Sequence, residues 1–167
     1  SGKLFAHEWA NIEPDVMAVA KGMGSGFPLG ACLTNEKASI GMIKGTHGST
    51  YGGNQLAVSV GKAVLEIILQ ENFLKSVDDV ARYFWSKLKK LQSNLDEILE
   101  VRGAGLLIGI KTKKNNTDVC MMLRKNYLLS VPANDNIVRF APPLIINKNE
   151  ADRAVDIIYN TLKGLND

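Results

Sequence analysis

The sequence has 167 residues, of which 46% are hydrophobic and 22% are charged, and its formal net charge is +3. This length and composition predict a folded protein of one ordinary domain or of parts of two. The charge is too small and too evenly spread to favour nucleic-acid binding. No apolar run approaches the roughly 18 residues of a membrane span, and no segment resembles a signal peptide. We therefore expect neither a nucleic-acid partner nor a membrane partner.

The cysteines and histidines do not predict a metal site. Cys32 and Cys120 lie far apart in the sequence, and His7 and His47 do not form a ligand pair. Two distant cysteines are too few for a disulfide framework, so a reducing compartment is expected. The predicted location is cytoplasmic.

The first elements lead to a glycine-rich turn. Residues 4–11 are predicted to form a short helix. Residues 15–20 are predicted to form a strand buried on both faces, because no polar residue interrupts 16–20. The glycines and the proline between positions 22 and 28 then break regular structure. Lys21 would stand at the end of a core strand, where open parallel sheets place their ligands. A lysine held there loses hydration, which favours a nucleophilic amine that can form a Schiff base with an aldehyde. The alternative is a strand-end lysine that points into water.

A second apolar strand is predicted at 30–34, followed by a brief helix over 36–42 with Asn35 as its N-cap. The next helix follows the glycine-rich loop 45–53, has Asn54 as its cap, and carries an apolar stripe: Ala57, Val60, Val64, Ile67 and Ile68. The loop offers backbone N–H groups and the hydroxyls of Ser49 and Thr50 beside a helix N-terminus, which suits a phosphate. The alternative is a plain capping loop.

The rest of the chain alternates helices with strands. One helix has the inward face Val77, Val80, Ala81, Phe84, Leu88, Leu91 and Leu95; the last begins at Asn147 and has the face Ala151, Ala154, Val155, Ile158, Leu162 and Leu165. Between them we predict strands at 100–102, 106–111, 128–131 and 137–140 and a helix at 117–126. This order is typical of an α+β domain. The predicted domains are 1–70 and 71–167.

Arg139 lies in the middle of a predicted strand, between Val138 and Phe140. That is an expensive place for a charge without an anionic partner. A planar guanidinium pairs well with a carboxylate through two parallel hydrogen bonds. Arg139 is therefore a candidate carboxylate ligand, and a structural salt bridge is the alternative.

Three motifs resemble those of the class III (ω-amino acid) aminotransferases, which use pyridoxal 5'-phosphate. They are 3–31, which includes the lysine and its turn; 45–54, which looks like the family's phosphate loop; and 139–146, which looks like its carboxylate-binding strand. They occur in the family's order and at its spacing. The resemblance implies an α/β fold: the C-terminal part of a PLP-dependent transferase fold type I (aspartate aminotransferase-like) chain. It would comprise the end of the large-domain sheet, at 1–70, and a small α+β domain, at 71–167.

The resemblance also implies roles for individual residues. Lys21 would be the Schiff-base lysine and would move a proton once the substrate has displaced it. Thr50 would bind the cofactor phosphate of the neighbouring subunit in a homodimer, and Ser49 would contact the substrate. Arg139 would hold the carboxylate of glutamate, 2-oxoglutarate or an acetylated diamino acid. Arg102, in another recurrent family stretch, is expected to be structural.

Within the family, the 3–31 and 45–47 stretches favour the subgroup that acts on N-acetylornithine over those that act on ornithine or 4-aminobutyrate. The resemblance further implies that Ser1 follows a catalytic strand, so we expect the chain to be incomplete at its N-terminus. A chain that only packs or dimerises, without catalysis, is the other class of function that the sequence leaves open.

Overall fold

The computed structural model describes residues 1–164. The chain divides into two compact units. The first unit is Lys3–Leu74, and the second is the chain from Lys75 onward together with Ser1–Gly2.

The first unit contains two strands, two α-helices and two short 3₁₀ helices. Their bounds are Ala6–Trp9 (3₁₀), β1 Val16–Ala20, Lys21–Gly24 (3₁₀), β2 Gly30–Thr34, α1 Glu36–Ser39 and α2 Gln55–Ile68. β1 and β2 pair antiparallel, from Val16 opposite Thr34 to Ala20 opposite Gly30. The Asn35 side chain closes the open end of this hairpin, because its Nδ2 donates to Asp15 Oδ1 at 2.6 Å. The hairpin therefore carries the Lys21 turn at its closed end.

The prediction that β1 is buried on both faces is wrong for the described residues. Exposed and half-buried residues alternate along the strand, and Val16 is 56% exposed. Within residues 1–164, β1 pairs with β2 alone, in an antiparallel ribbon and not in the parallel sheet that the strand-end argument assumed. An apolar run predicts a strand that can be buried, but only packing against other elements buries it.

The second unit has a four-stranded antiparallel sheet and three helices. The bounds are α3 Phe73–Asn94, β3 Ile98–Ala104, β4 Leu107–Thr112, α4 Asn116–Lys125, β5 Val131–Ala133, β6 Ile137–Phe140 and α5 Lys148–Lys163. The strand order is β3-β4-β6-β5. One register row aligns Val101, Ile110 and Val138, which are all at most 3% exposed. This row lies on the core face of the sheet.

The predicted helix stripes form the rest of this core. On α3, Val77, Ala81, Phe84 and Leu88 are at most 1% exposed, and on α5 the same holds for Ala151, Ile158 and Leu162. Leu165, which we predicted to belong to the α5 stripe, lies outside the described residues. Asn147 caps α5 through a capping box, since its Oδ1 accepts from Glu150 N at 3.0 Å and Glu150 Oε2 accepts from Asn147 N at 2.9 Å.

Several predicted boundaries are wrong. The helix predicted at 4–11 is a single 3₁₀ turn, and the helix at 36–42 ends at Ser39. The strand predicted at 128–131 lies at Val131–Ala133 and includes Pro132. A proline is tolerated there because β5 is an edge strand, where its missing N–H breaks no ladder on the open side.

Candidate active site

Lys21 occupies the sharp bend at the end of β1. Ala20 is fully extended, and Lys21 then adopts a left-handed backbone with φ +53°. A left-handed lysine is uncommon, because αL suits glycine, asparagine and aspartate; such a residue costs about 1–3 kcal/mol and persists only where its surroundings hold it. Lys21 is exposed. The predicted loss of hydration is therefore wrong for residues 1–164, and the left-handed backbone is a conformation that a functional position can require.

The turn after Lys21 packs onto α2. Gly24 is the buried residue of the turn, and a Cβ there would lie 3.2 Å from Leu29 Cβ. Gly61 is the buried residue of α2, and a Cβ there would lie 2.7 Å from Leu29 Cδ2. The absence of side chains at both glycines lets Leu29 fit between the turn and the helix.

The loop before α2 presents two free hydroxyls. Its backbone folds into tight turns, with Gly52 N donating to the Ser49 carbonyl at 3.3 Å and Asn54 N donating to the Tyr51 carbonyl at 3.1 Å. Among residues 1–164, the hydroxyls of Ser49 and Thr50 have no hydrogen-bond partner. Asn54 caps α2, its Oδ1 accepting from Ala57 N at 3.1 Å. Free hydroxyls beside the positive end of a 14-residue helix suit a phosphate.

Arg139 lies in the middle of β6, in the second unit. It stands opposite Gly109 of β4 and Val131 of β5. Arg139 is exposed, so the predicted cost of a buried charge is wrong. It forms no ion pair with any residue in the described part of the chain. The structural salt bridge, which was the alternative to a carboxylate ligand, is therefore not present within residues 1–164.

Arg102 contrasts with Arg139. Both stand in one register row, on either side of Gly109, but Arg102 is paired. Its Nη1 lies 3.2 Å from Asp135 Oδ2 and 3.7 Å from Glu100 Oε2. Lys111, at 2.6 Å, and then Arg102 hold the pKa of the Asp135 carboxyl below its ordinary value. These contacts agree with the structural role expected for Arg102.

The candidate residues fall into both units. Lys21, Ser49 and Thr50 belong to the first unit and Arg139 to the second. In the first unit, an open, mainly apolar groove of about 1030 Å³ runs along α2 and is lined by Ser49, Leu29 and Gly61, but not by Lys21 or Thr50. The sequence did not predict that Leu29 and Gly61 line this groove. The available signal was a glycine inside an otherwise helical apolar pattern, which often marks close packing.

Within residues 1–164, no group of three or more His, Cys, Asp or Glu side chains is arranged to hold a metal ion. None of the helices in the same range is long and apolar enough to cross a membrane.

The fold and the site define a class of protein. A lysine amine can form a Schiff base with an aldehyde, and hydroxyls beside a helix N-terminus can bind a phosphate, so the site is compatible with a cofactor that carries both groups. The family comparison is specific: the model of the class III aminotransferases matches residues 1–162. The chain belongs to this family, as the sequence predicted.

Relatives of known name support the assignment. The chain is 46% identical over 168 residues to the acetylornithine aminotransferase of Mesorhizobium japonicum, a match that covers 100% of this chain and 42% of that protein. It is 48% identical over 152 residues to the acetylornithine aminotransferase of Agrobacterium fabrum, covering 90% and 38%. The chain thus spans about two fifths of the length of these relatives.

Solved structures confirm the predicted fold. The ornithine delta-aminotransferase of Plasmodium falciparum superposes with a TM-score of 0.89 at 34% identity, covering 98% of this chain and 44% of that one. The acetylornithine aminotransferase from Elizabethkingia anophelis gives a TM-score of 0.87 at 32% identity, covering 98% and 42%. The fold is therefore that of the C-terminal part of an aminotransferase chain.

Proposed function

We propose that this chain is the C-terminal part of an acetylornithine aminotransferase. The enzyme would transfer the ω-amino group of N-acetylornithine to 2-oxoglutarate, with pyridoxal 5'-phosphate as cofactor, in cytoplasmic arginine biosynthesis. The observation that carries the proposal is Lys21, a lysine in a left-handed conformation at a strand end and followed by a glycine turn. The names of relatives at 44–48% identity support the choice of substrate.

The residues of the chain fit the cofactor. Lys21 offers an accessible amine for the aldehyde, and Thr50 offers a hydroxyl without a partner among residues 1–164 for the phosphate. When bound, pyridoxal phosphate supplies the electron sink that makes the carbon bearing the amino group acidic. Once the substrate has displaced it, the Lys21 amine would be the base that takes the proton from this carbon.

The carboxylate of the substrate would be held by Arg139. Its guanidinium is exposed and unpaired within the described residues, so binding a carboxylate there breaks no ion pair of residues 1–164. Two parallel N–H···O bonds fix the orientation of the substrate as well as its position. Ser49 would contact the substrate from the loop before α2.

We further propose a homodimer in which the Thr50 hydroxyl serves the cofactor of the neighbouring subunit. Residues 1–70 would belong to the large cofactor-binding domain and residues 71–167 to the small domain. The exposed apolar side chains of 40–58 give this loop region a surface that suits a subunit contact; they are Ile40, Met42, Ile43, Tyr51, Leu56 and Val58, each at least 54% exposed.

An ornithine or other ω-amino acid aminotransferase is the alternative enzyme. The match to the ornithine delta-aminotransferase of Plasmodium falciparum, at a TM-score of 0.89, favours it. Steady-state rates with N-acetylornithine, ornithine and 4-aminobutyrate separate these possibilities. A specificity constant at least tenfold higher for ornithine would refute the assigned substrate.

The decisive experiment maps the cofactor onto the chain. The full-length protein is incubated with pyridoxal phosphate, reduced with borohydride and digested, and the pyridoxyl group is located by mass spectrometry. We expect it on Lys21. The matched control is Lys62 on α2, which is also exposed and whose Nζ lies 3.7 Å from Glu66 Oε1. Lys21→Ala should lose both label and turnover, whereas Lys62→Ala should keep both; a pyridoxyl group on Lys37, Lys44 or Lys62 of the parent would refute the assignment.

A non-catalytic packing module predicts a different result. Such a protein would take up no stoichiometric label and would show no transamination, although it could still dimerise. Lys21→Arg adds a further check, because a guanidinium stays protonated and cannot replace the amine.

A further inference from the structure

Two residues of the Lys21 turn that are not glycine have a left-handed backbone. Lys21 has φ +53° and Ser25 has φ +46°, and Gly26 follows with φ +107°. Two backbone hydrogen bonds brace the turn, from Ser25 N to the Gly22 carbonyl at 3.1 Å and from Phe27 N to the Gly24 carbonyl at 2.9 Å. A residue other than glycine keeps a left-handed backbone only where its surroundings hold it, so the packing around this turn bears on the conformation of Lys21.

Leu29 is placed to hold it. Its Cβ lies 3.2 Å from the position that a Cβ on Gly24 would occupy, and its Cδ2 lies 2.7 Å from the position of a Cβ on Gly61. Met23 of the same turn reaches the same glycine, with its Cε 3.9 Å from that position. Leu29 therefore contacts the inside of the turn on one side and the middle of α2 on the other.

The contact also ties the Lys21 turn to α2. α2 begins at Gln55, directly after the loop that carries Ser49 and Thr50, and it packs against the turn that begins at Lys21. A shift of Leu29 would move the turn, and with it Lys21, relative to this helix.

We propose that Leu29, seated against Gly61, is a positioning residue that holds Lys21 in its left-handed conformation and sets the place of its amine relative to α2. This inference rests on the proposed function of Lys21. Neither residue touches the cofactor in this role; both act through the backbone at Lys21.

Gly61→Ala tests this role, because a purely structural change in α2 would alter the unfolding temperature and leave the cofactor affinity and the pH midpoint unchanged. Alanine in place of glycine inside a helix raises helix propensity, so a residue that matters only for α2 should give a protein with an equal or higher unfolding temperature. The new methyl group would, however, displace Leu29. We expect the dissociation constant for pyridoxal phosphate to be at least tenfold higher than in the parent. We also expect a shift in the pH midpoint at which the visible absorbance of the full-length protein with bound pyridoxal phosphate changes. The readouts are equilibrium titration of the cofactor, the pH dependence of the absorbance and borohydride labelling of Lys21.

Matched variants isolate the contact. Ser59→Ala changes an exposed residue of the same helix and should leave the affinity and the pH midpoint within twofold of the parent. Leu29→Val shortens the side chain with which the new methyl group of Gly61→Ala would clash. The double variant Leu29→Val/Gly61→Ala should therefore regain at least half of the affinity for pyridoxal phosphate that Gly61→Ala alone loses. Leu29→Met conserves volume and should bind the cofactor like the parent, whereas Leu29→Ala should bind it at least tenfold more weakly.

The outcomes separate the two hypotheses. If the parent places no pyridoxyl group on Lys21, the proposed function is wrong and this inference with it. If the parent labels Lys21, and Gly61→Ala and Leu29→Ala match its affinity and pH midpoint, only the positioning role is overturned. Should Gly61→Ala fail to fold, Leu29→Met and Leu29→Ala decide the matter by themselves, and equal affinities in the two would overturn the role.

Discussion

Replacing Thr50 by valine tests the phosphate role of the loop before α2. The change removes one hydroxyl and keeps the shape of the side chain. Among residues 1–164 this hydroxyl has no partner, and Thr50 is exposed, so its loss should cost the unloaded fold little. A hydrogen bond to a charged group is worth about 1.5–3 kcal/mol, which corresponds to roughly a tenfold to hundredfold weaker affinity for pyridoxal phosphate. The assay is titration of the cofactor-free, full-length protein with pyridoxal phosphate, together with thermal unfolding of the unloaded protein.

Thr46→Val is the matched control, because Thr46 lies in the same loop and is also exposed. Its hydroxyl donates to the Ile43 carbonyl at 2.7 Å, so this variant loses a bond within the loop and none to a ligand. We expect it to reduce stability slightly and to leave the cofactor affinity within about threefold of the parent. The reasoning is refuted if Thr50→Val binds the cofactor as tightly as the parent, or if both variants weaken binding equally.

Three further predictions concern other parts of the chain. Arg139→Lys keeps the charge but loses the paired hydrogen bonds, so the KM values for glutamate and 2-oxoglutarate should rise; kinetics equal to the parent would make the arginine structural. Gly103→Ala should lower the free energy of unfolding, measured by denaturant titration, by more than about 1 kcal/mol, because φ at Gly103 is +135° and the added Cβ would clash with a carbonyl of the facing strand. Gly48→Ala is the control and should be nearly neutral, because the space around Gly48 is open. The pKa of Asp152 is lowered from its ordinary 3.8 first by the Tyr83 hydroxyl, which donates to Asp152 Oδ2 at 2.7 Å, and then by the Lys87 ammonium. The contribution of the Asp152 carboxylate to stability is therefore full above pH 3.8 and is lost as the pH falls through the lowered pKa. The stability gap between the parent and Asp152→Asn should therefore shrink below pH 3.8, and a gap independent of pH would contradict this assignment.

Much of the second unit could be predicted because its signals are local. The stripe on α3 recurs with the helical period, and Phe84 and Leu88 are buried as that period requires. In the first unit, Asn35 and Asn54 cap helices as predicted, since a cap needs only a side-chain oxygen and an N–H three residues later. Asn147, predicted to begin the last helix, caps it in the same way. Such contacts depend on neighbours in the sequence and on no other part of the fold.

The candidate site was predicted through motifs, and its surroundings were not. Lys21, Ser49, Thr50 and Arg139 follow from the residue types and from the resemblance to the class III family, and their roles stay predictions. The exposure of Arg139 and the partial exposure of β1 could not be predicted, because burial depends on which elements pack over a strand and not on the strand's own composition.

The sequence by itself determined the family and the order of the helices and strands in outline, and it singled out Lys21 as the candidate Schiff-base lysine. Only the tertiary structure decided that Arg102 pairs with Asp135 while Arg139, in the same register row, stays unpaired within residues 1–164. It also decided that Leu29 meets Gly61, across more than 30 positions of chain. The physical reason is that sheet register and helix packing are set by many weak contacts between distant residues, whereas periods, caps and motifs are set by neighbours.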